Sequence, residues 1–149
     1  MPSPEQLQTL YDLSDNELYK GAVAFLHRIV DEEDCMPLPA SQVAGLLNIA
    51  NASSYGELNR FIRHQLERNW SESKKDIKTF YTELDKELTT IRKAYISGFQ
   101  IGQAGKSVKK VNQETDELMA LLAHDFIQHL MTENMFLLAA KVDERAKRR

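Results

Sequence analysis

All four prolines of this 149-residue chain lie within its first 39 residues, and none follows Pro39. Proline lacks a backbone N–H and breaks helix interiors, so a long proline-free stretch leaves helices free to extend. Apolar residues recur through that stretch at three- and four-residue spacing, the period of a helix face. There is no sustained two-residue alternation, and no Asn-Gly or Asp-Gly turn marks a hairpin. The pattern predicts an all-α fold, a single-domain bundle of five to seven helices spanning residues 1–149. Residues 1–36 form an acidic N-terminal part and 145–149 a basic tail.

Helix starts are legible. Ser3-Pro4 places a capping hydroxyl before a first-turn proline and predicts a helix to about Tyr11. Ser14-Asp15-Asn16-Glu17 has the form of a capping box for a second helix bearing Leu18, Ala22, Phe25, Leu26 and Ile29. An acidic loop, Asp31 to Asp34, and two prolines follow. Pro39 opens a helix through Leu47, a connection runs from Asn48 to Ser53, and Ser54-x-x-Glu57 caps the next helix. Ser71 or Ser73 then starts a long one, about Lys74 to Ile96, whose Ile77, Tyr81, Leu84, Leu88, Ile91 and Tyr95 form a seam. Gly98, Gly102 and Gly105 interrupt the pattern as a hinge or a close-packed crossing. A broad apolar face runs from Val108 to about Val142, with a break predicted at Thr132-Glu133-Asn134.

Composition narrows the class. Hydrophobic residues at 42% and charged residues at 28% suit a globular protein. No apolar run approaches the roughly 20 residues needed to cross a bilayer. The first residues lack the basic start and apolar middle of a secretory leader, and a single cysteine, Cys35, forms no intramolecular disulfide. These features predict a cytoplasmic protein without a membrane partner. The net charge of −3 conceals an asymmetry: residues 1–56 carry eight acids against two bases, whereas residues 57–113 carry twelve bases against seven acids. A local basic surface is therefore compatible with an acidic whole.

Catalytic signatures are weak. Gly102 to Ser107 matches the end of a phosphate-binding loop, but Gln100 stands where the motif needs glycine, and a helical pattern precedes it in place of a strand. None of His27, His64, His124 and His129 has the Glu-x-x-His spacing of a di-iron bundle. Asp125, His129 and Glu133 share one helix edge, which reads more simply as a polar flank than as a metal site. Cys35 sits among acids that raise a thiol's pKa. No enzyme activity, cofactor or metal is expected.

The positive feature is the helix after Ser54. On a wheel of about 100° per residue, Arg63, His64, Glu67 and Arg68 fall within roughly 80° of Arg60, opposite Leu58, Phe61, Ile62, Gln65 and Leu66. Lys74, Lys75 and Lys78 follow at the start of the next helix, and Lys106, Lys109 and Lys110 form a second cluster. Arginine forks suit phosphate oxygens. Trp70 beside the stripe would stack on a base or anchor the connection. The candidate nucleic-acid-binding residues are Arg60, Arg63, His64, Arg68, Lys74, Lys75 and Lys78. A helix-turn-helix DNA binder fits less well, because the linker lacks glycine and the recognition helix would meet DNA with Glu57 first.

These residues also carry a resemblance. Leu38-Pro39-Ala40-Ser41-Gln42-Val43, Leu46-Leu47-Asn48-Ile49-Ala50, and Phe61-Ile62-Arg63-His64-Gln65 with Arg68 resemble the small helical subunit of type III CRISPR effector complexes. That family often has a basic residue where this chain has Ala44. The resemblance covers about 30 residues and implies a non-catalytic bundle that binds RNA, a guide–target duplex or a single strand, through its backbone. It also implies other subunits of a protein–RNA complex as partners, and self-association. Two other readings remain open: a helical adaptor or regulator that docks an acidic protein, and the DNA binder.

Overall fold

The computed structural model describes residues 2–52, 54–99, 101–102 and 105–147. It is an all-α bundle with no strand among the described residues. Helix α1 (Pro4–Leu13) opens with a full capping box: Ser3 Oγ accepts from the Gln6 N–H at 3.1 Å, and Gln6 Oε1 accepts from the Ser3 N–H at 2.9 Å. The second box expected at Ser14 is absent. The helix instead continues through a π turn (Ser14–Leu18) into α2 (Tyr19–His27) and a second π turn (Arg28–Glu32). Ser14 is helical and buried, and its Oγ lies 3.1 Å from His129 Nε2. The hydroxyl meets a ring across the bundle, so it serves tertiary packing and starts no helix. The widened turn, with the Tyr19 N–H reaching back to the Ser14 carbonyl, re-aims the side chains that follow.

The chain leaves this rod through Asp34, which adopts a left-handed φ of 52°, a conformation aspartate tolerates. The Pro39 carbonyl receives the N–H groups of Gln42 and Val43 and starts α3 (Ala40–Ala52). Four residues assigned to a linker, Asn48 to Asn51, are therefore helical, as is Ala52; Ser53 lies outside the described residues. Helix α4 (Tyr55–Glu67) follows, then a 3₁₀ turn (Glu72–Lys74), α5 (Lys75–Tyr95) and a 3₁₀ turn (Ile96–Gly98). The expected seam is the buried face of α5: Ile77, Tyr81, Leu84, Leu88 and Ile91 are in the core, joined by Phe80, and Tyr95 is half-buried.

The glycine segment is the connection to the last helix. Gly102 (φ 77°) and Gly105 (φ 94°) occupy the left-handed region that favours glycine, while Gln100, Gln103 and Ala104 of the phosphate-loop likeness lie outside the described residues. Glu114 ties this connection down, accepting from Lys106 Nζ at 2.6 Å and from Gln6 Nε2 of α1 at 2.8 Å. Ser107 caps α6 (Val108–Lys147): its carbonyl accepts from the Val111 N–H and its Oγ from the Lys110 N–H. At 40 residues, α6 is about 60 Å long. Its central residues Leu118, Met119, Leu122, Ala123, Phe126, Ile127, Leu130 and Met131 are all buried. Edge-on rings knit the layers together: Phe25 of α2 meets both Phe80 of α5 and Phe126 of α6, and Phe61 of α4 meets Tyr81.

The break predicted at Thr132-Glu133-Asn134 does not occur. Asn134 is fully buried, and its side chain clamps the backbone of Leu38: Oδ1 accepts from the Leu38 N–H at 2.7 Å and Nδ2 donates to the Leu38 carbonyl at 2.9 Å. A residue read as a helix breaker is thus the amide that holds the 34–39 segment to α6. Asn134→Ala leaves two backbone groups without partners and is expected to destabilise the protein by about 2–4 kcal/mol. Urea unfolding followed by circular dichroism reads this, and a change below about 0.5 kcal/mol would contradict the clamp.

Candidate nucleic-acid interface

Ser54 begins α4 as read: its backbone is extended and its Oγ accepts from the Glu57 N–H at 3.2 Å. Leu58, Ile62 and Gln65 are buried and Phe61 is half-buried, so the opposite face carrying Arg60, Arg63, His64 and Glu67 is exposed. Among the described residues, Arg60, Arg63 and His64 enter no ion pair or hydrogen bond. Three cationic-type side chains within little more than one helical turn, about 5.4 Å of rise, therefore face solvent with donors to offer.

Arg68 is placed differently from the wheel. The helix ends at Glu67, and Arg68 is its extended C-cap. Its guanidinium lies 4.2 Å from the centre of the Trp70 ring and donates to Gln65 Oε1 at 3.1 Å. The indole N–H of Trp70 donates to the Gln65 carbonyl at 2.6 Å, satisfying one of the orphan acceptors at the end of α4. Trp70 is a half-buried brace under the α4–α5 corner, and Arg68 is stacked on it rather than aligned with Arg60.

Lys74, Lys75 and Lys78 are exposed at the start of α5, close in sequence to the end of α4. Lys75 shares its charge with Glu72 at 3.1 Å, a solvent-exposed pair of little energetic weight. The second lysine cluster is divided: Lys106 is held by Glu114, whose carboxyl lies below its ordinary range because of the Lys106 and Gln6 hydrogen bonds, while Lys109 and Lys110 remain exposed. Arg92, near the far end of α5, was not singled out in the sequence. It lies within electrostatic range of the start of α4: burial pushes the Tyr55 hydroxyl up, and Arg92 and Arg63 oppose that push while Asp85 and Asp116 add to it. The short corner between α4 and α5 was the available signal, because it folds the end of α5 back towards the start of α4.

The other chemical candidates separate. Cys35 is buried, and its thiol is pushed up to about 12, first by burial and then by Asp76, Glu33 and Asp34. The acids noted in the sequence act in the expected direction, but burial dominates. Asp125, His129 and Glu133 turn to different partners: His124 at 3.0 Å, Ser14 at 3.1 Å and His27 at 2.9 Å. Among the described residues, no three His, Cys, Asp or Glu side chains are arranged so that they could hold a metal ion. Among the described residues, no helix is long and apolar enough to cross a membrane. The last turns of α6 expose Met135, Phe136 and Val142, with Phe136 at 71% exposure.

His27 adds a pH-dependent link between α2 and α6. Its Nε2 lies 2.9 Å from Glu133 Oε1 and its Nδ1 lies 3.3 Å from Asp31 Oδ2, a geometry that needs both ring N–H groups. The Glu133 hydrogen bond, aided by Asp31 and opposed by burial, raises the imidazole above its ordinary 6.5. The folded state thus binds the proton more tightly than the unfolded chain. Its stabilisation is complete below about pH 6.5 and is lost as pH rises through the folded pKa. The urea midpoint is expected to fall above pH 6.5, and His27→Gln to remove that part of the fall. A His27→Gln profile parallel to wild type would contradict the link.

Comparison of the chain with protein-family models, curated proteins and solved structures finds no match.

Proposed function

We propose that this protein is a non-catalytic RNA-binding and assembly subunit of a ribonucleoprotein, with the resemblance to the type III CRISPR small subunit as supporting sequence likeness. The exposed and unpaired Arg60–Arg63–His64 face carries the reading. Lys74 and Lys78, exposed at the start of α5, follow the end of α4, and Arg92 adds charge near its start. Such a face engages phosphates without reading bases, so affinity would fall steeply with salt. The DNA reading is disfavoured, because α4 leads with Tyr55-Gly56-Glu57 and its arginines come late.

An assembly subunit also needs a protein-facing surface. Met135, Phe136 and Val142 supply an exposed apolar flank at the end of α6. The same flank favours the second reading, a helical adaptor whose basic face docks an acidic protein.

Binding of labelled 30-mer single-stranded and duplex RNA, at low and near-physiological salt, decides between them. Wild type is expected to bind at low salt and to lose affinity as salt rises. Arg60→Glu/Arg63→Glu, at exposed positions and with its fold checked by circular dichroism, is expected to lose binding by at least tenfold. Absence of binding at every salt concentration, or indifference to the double reversal, would overturn the RNA reading in favour of the adaptor.

A further inference from the structure

Beyond the end of the basic face lies a groove of about 250 Å³ between the 36–39 segment and the start of α5. Pro37, Pro39 and Trp70 form apolar walls, and Gln42, Lys74 and Asp76 bring polar groups. The Trp70 ring is fixed by its N–H bond to Gln65 and by Arg68 stacked above it, so the wall is set before any ligand arrives. Gln42 accepts from the Tyr81 hydroxyl at 3.1 Å through Oε1, which leaves its amide N–H donors uncommitted. Asp76 accepts from the Met36 N–H through Oδ2, which leaves its second oxygen as an acceptor. The exposed ammonium of Lys74 enters no ion pair among the described residues.

An apolar groove lined by a hydrogen-bond donor, an acceptor and a cation matches one ligand chemistry. We infer that the groove binds a single unpaired nucleotide: the base lies between Trp70 and the two prolines, its edge meets Gln42 and Asp76, and its phosphate meets Lys74. Bases present mixed donor and acceptor edges, and aromatic walls accept any base face. An acidic peptide would satisfy Lys74 but leave the Gln42–Asp76 pair without a matching edge. The inference rests on the RNA reading only for its source, since a free nucleotide and an unpaired nucleotide of a strand present the same chemistry.

Trp70 is the only tryptophan in the chain, so its fluorescence reports on this groove alone. Titration with each of the four ribonucleoside 5′-monophosphates, excited at the red edge to avoid base absorption, is expected to give saturable quenching. Ribose 5-phosphate should give none. Lys74→Ala, at an exposed position, should weaken the nucleotide by roughly threefold and leave the nucleoside unchanged. Gln42→Ala should flatten the differences among the four bases. Arg60→Glu/Arg63→Glu should leave mononucleotide quenching intact.

An RNA duplex with one bulged nucleotide should bind more tightly than its fully paired form, and Gln42→Ala should erase the difference. If the bulge has no advantage but mononucleotides quench, the source is free nucleotide. Lack of saturable quenching by all four nucleotides, equal quenching by ribose 5-phosphate or by an acidic proline-containing peptide, or indifference to both variants would overturn the inference. RNA binding at the basic face would stand untouched by that result.

Discussion

The apolar flank of α6 between Leu118 and Met131 is the surface on which the rest of the bundle is assembled. Eight of its side chains are buried there, and α2, α3 and α4 all pack against it. Burying a large apolar side chain contributes about 1.5–3 kcal/mol, so this one seam outweighs any polar contact in the molecule. Burial alone does not fix which backbone lies where, because hydrophobic packing is weakly directional. Asn134 supplies the direction. Placed one turn beyond Leu130, it holds Leu38 by both backbone groups and so sets the entry of α3 and the position of the 36–39 segment. The groove beside Trp70 exists because that segment is held in place.

Legibility in the sequence follows the range of the interaction that decides each feature. Ser3 and Ser54 were readable as caps because a cap is settled within three or four residues. The α5 seam was readable because its period repeats over several turns. Ser14 was misread for a complementary reason: Ser-x-x-Glu looks the same whether the hydroxyl caps its own helix or reaches His129, 115 positions away. Asn134 is the same case in reverse. Asparagine ranks low as a helix former, and only the distant Leu38 backbone explains its place inside one. The π turns gave no signal, since a one-residue widening leaves the apolar spacing almost unchanged.

The candidate site was half legible. The wheel placed Arg60, Arg63 and His64 on an exposed face, and the structure has them there. It could not place Arg68, because a wheel assumes the helix continues, and α4 stops at Glu67. What ends it is local: Trp70 turns back to cap Gln65, and Arg68 covers the indole. The corner that removes one arginine from the stripe also fixes the aromatic wall of the adjoining groove. Arg92 was invisible for a further reason, since its electrostatic reach to Tyr55 depends on how α5 lies against α4.

The two regions differ in what they can distinguish. The arginine face offers charge to phosphates, which every nucleic acid carries in the same form, so it provides attraction and register without selectivity. The groove offers a donor, an acceptor and a fixed ring, and under the proposed reading these would respond to the identity and exposure of a base. Electrostatic attraction acts over about a Debye length, roughly 10 Å at 0.1 M salt, whereas hydrogen bonds at the groove act only on contact. A strand would therefore meet the basic face first and sample the groove afterwards. Its fully paired stretches would pass over the groove, because their bases turn their edges inward. Under the proposed RNA reading, irregular RNA would be favoured by a short-range term superimposed on a long-range one, and salt should weaken the second far more than the first.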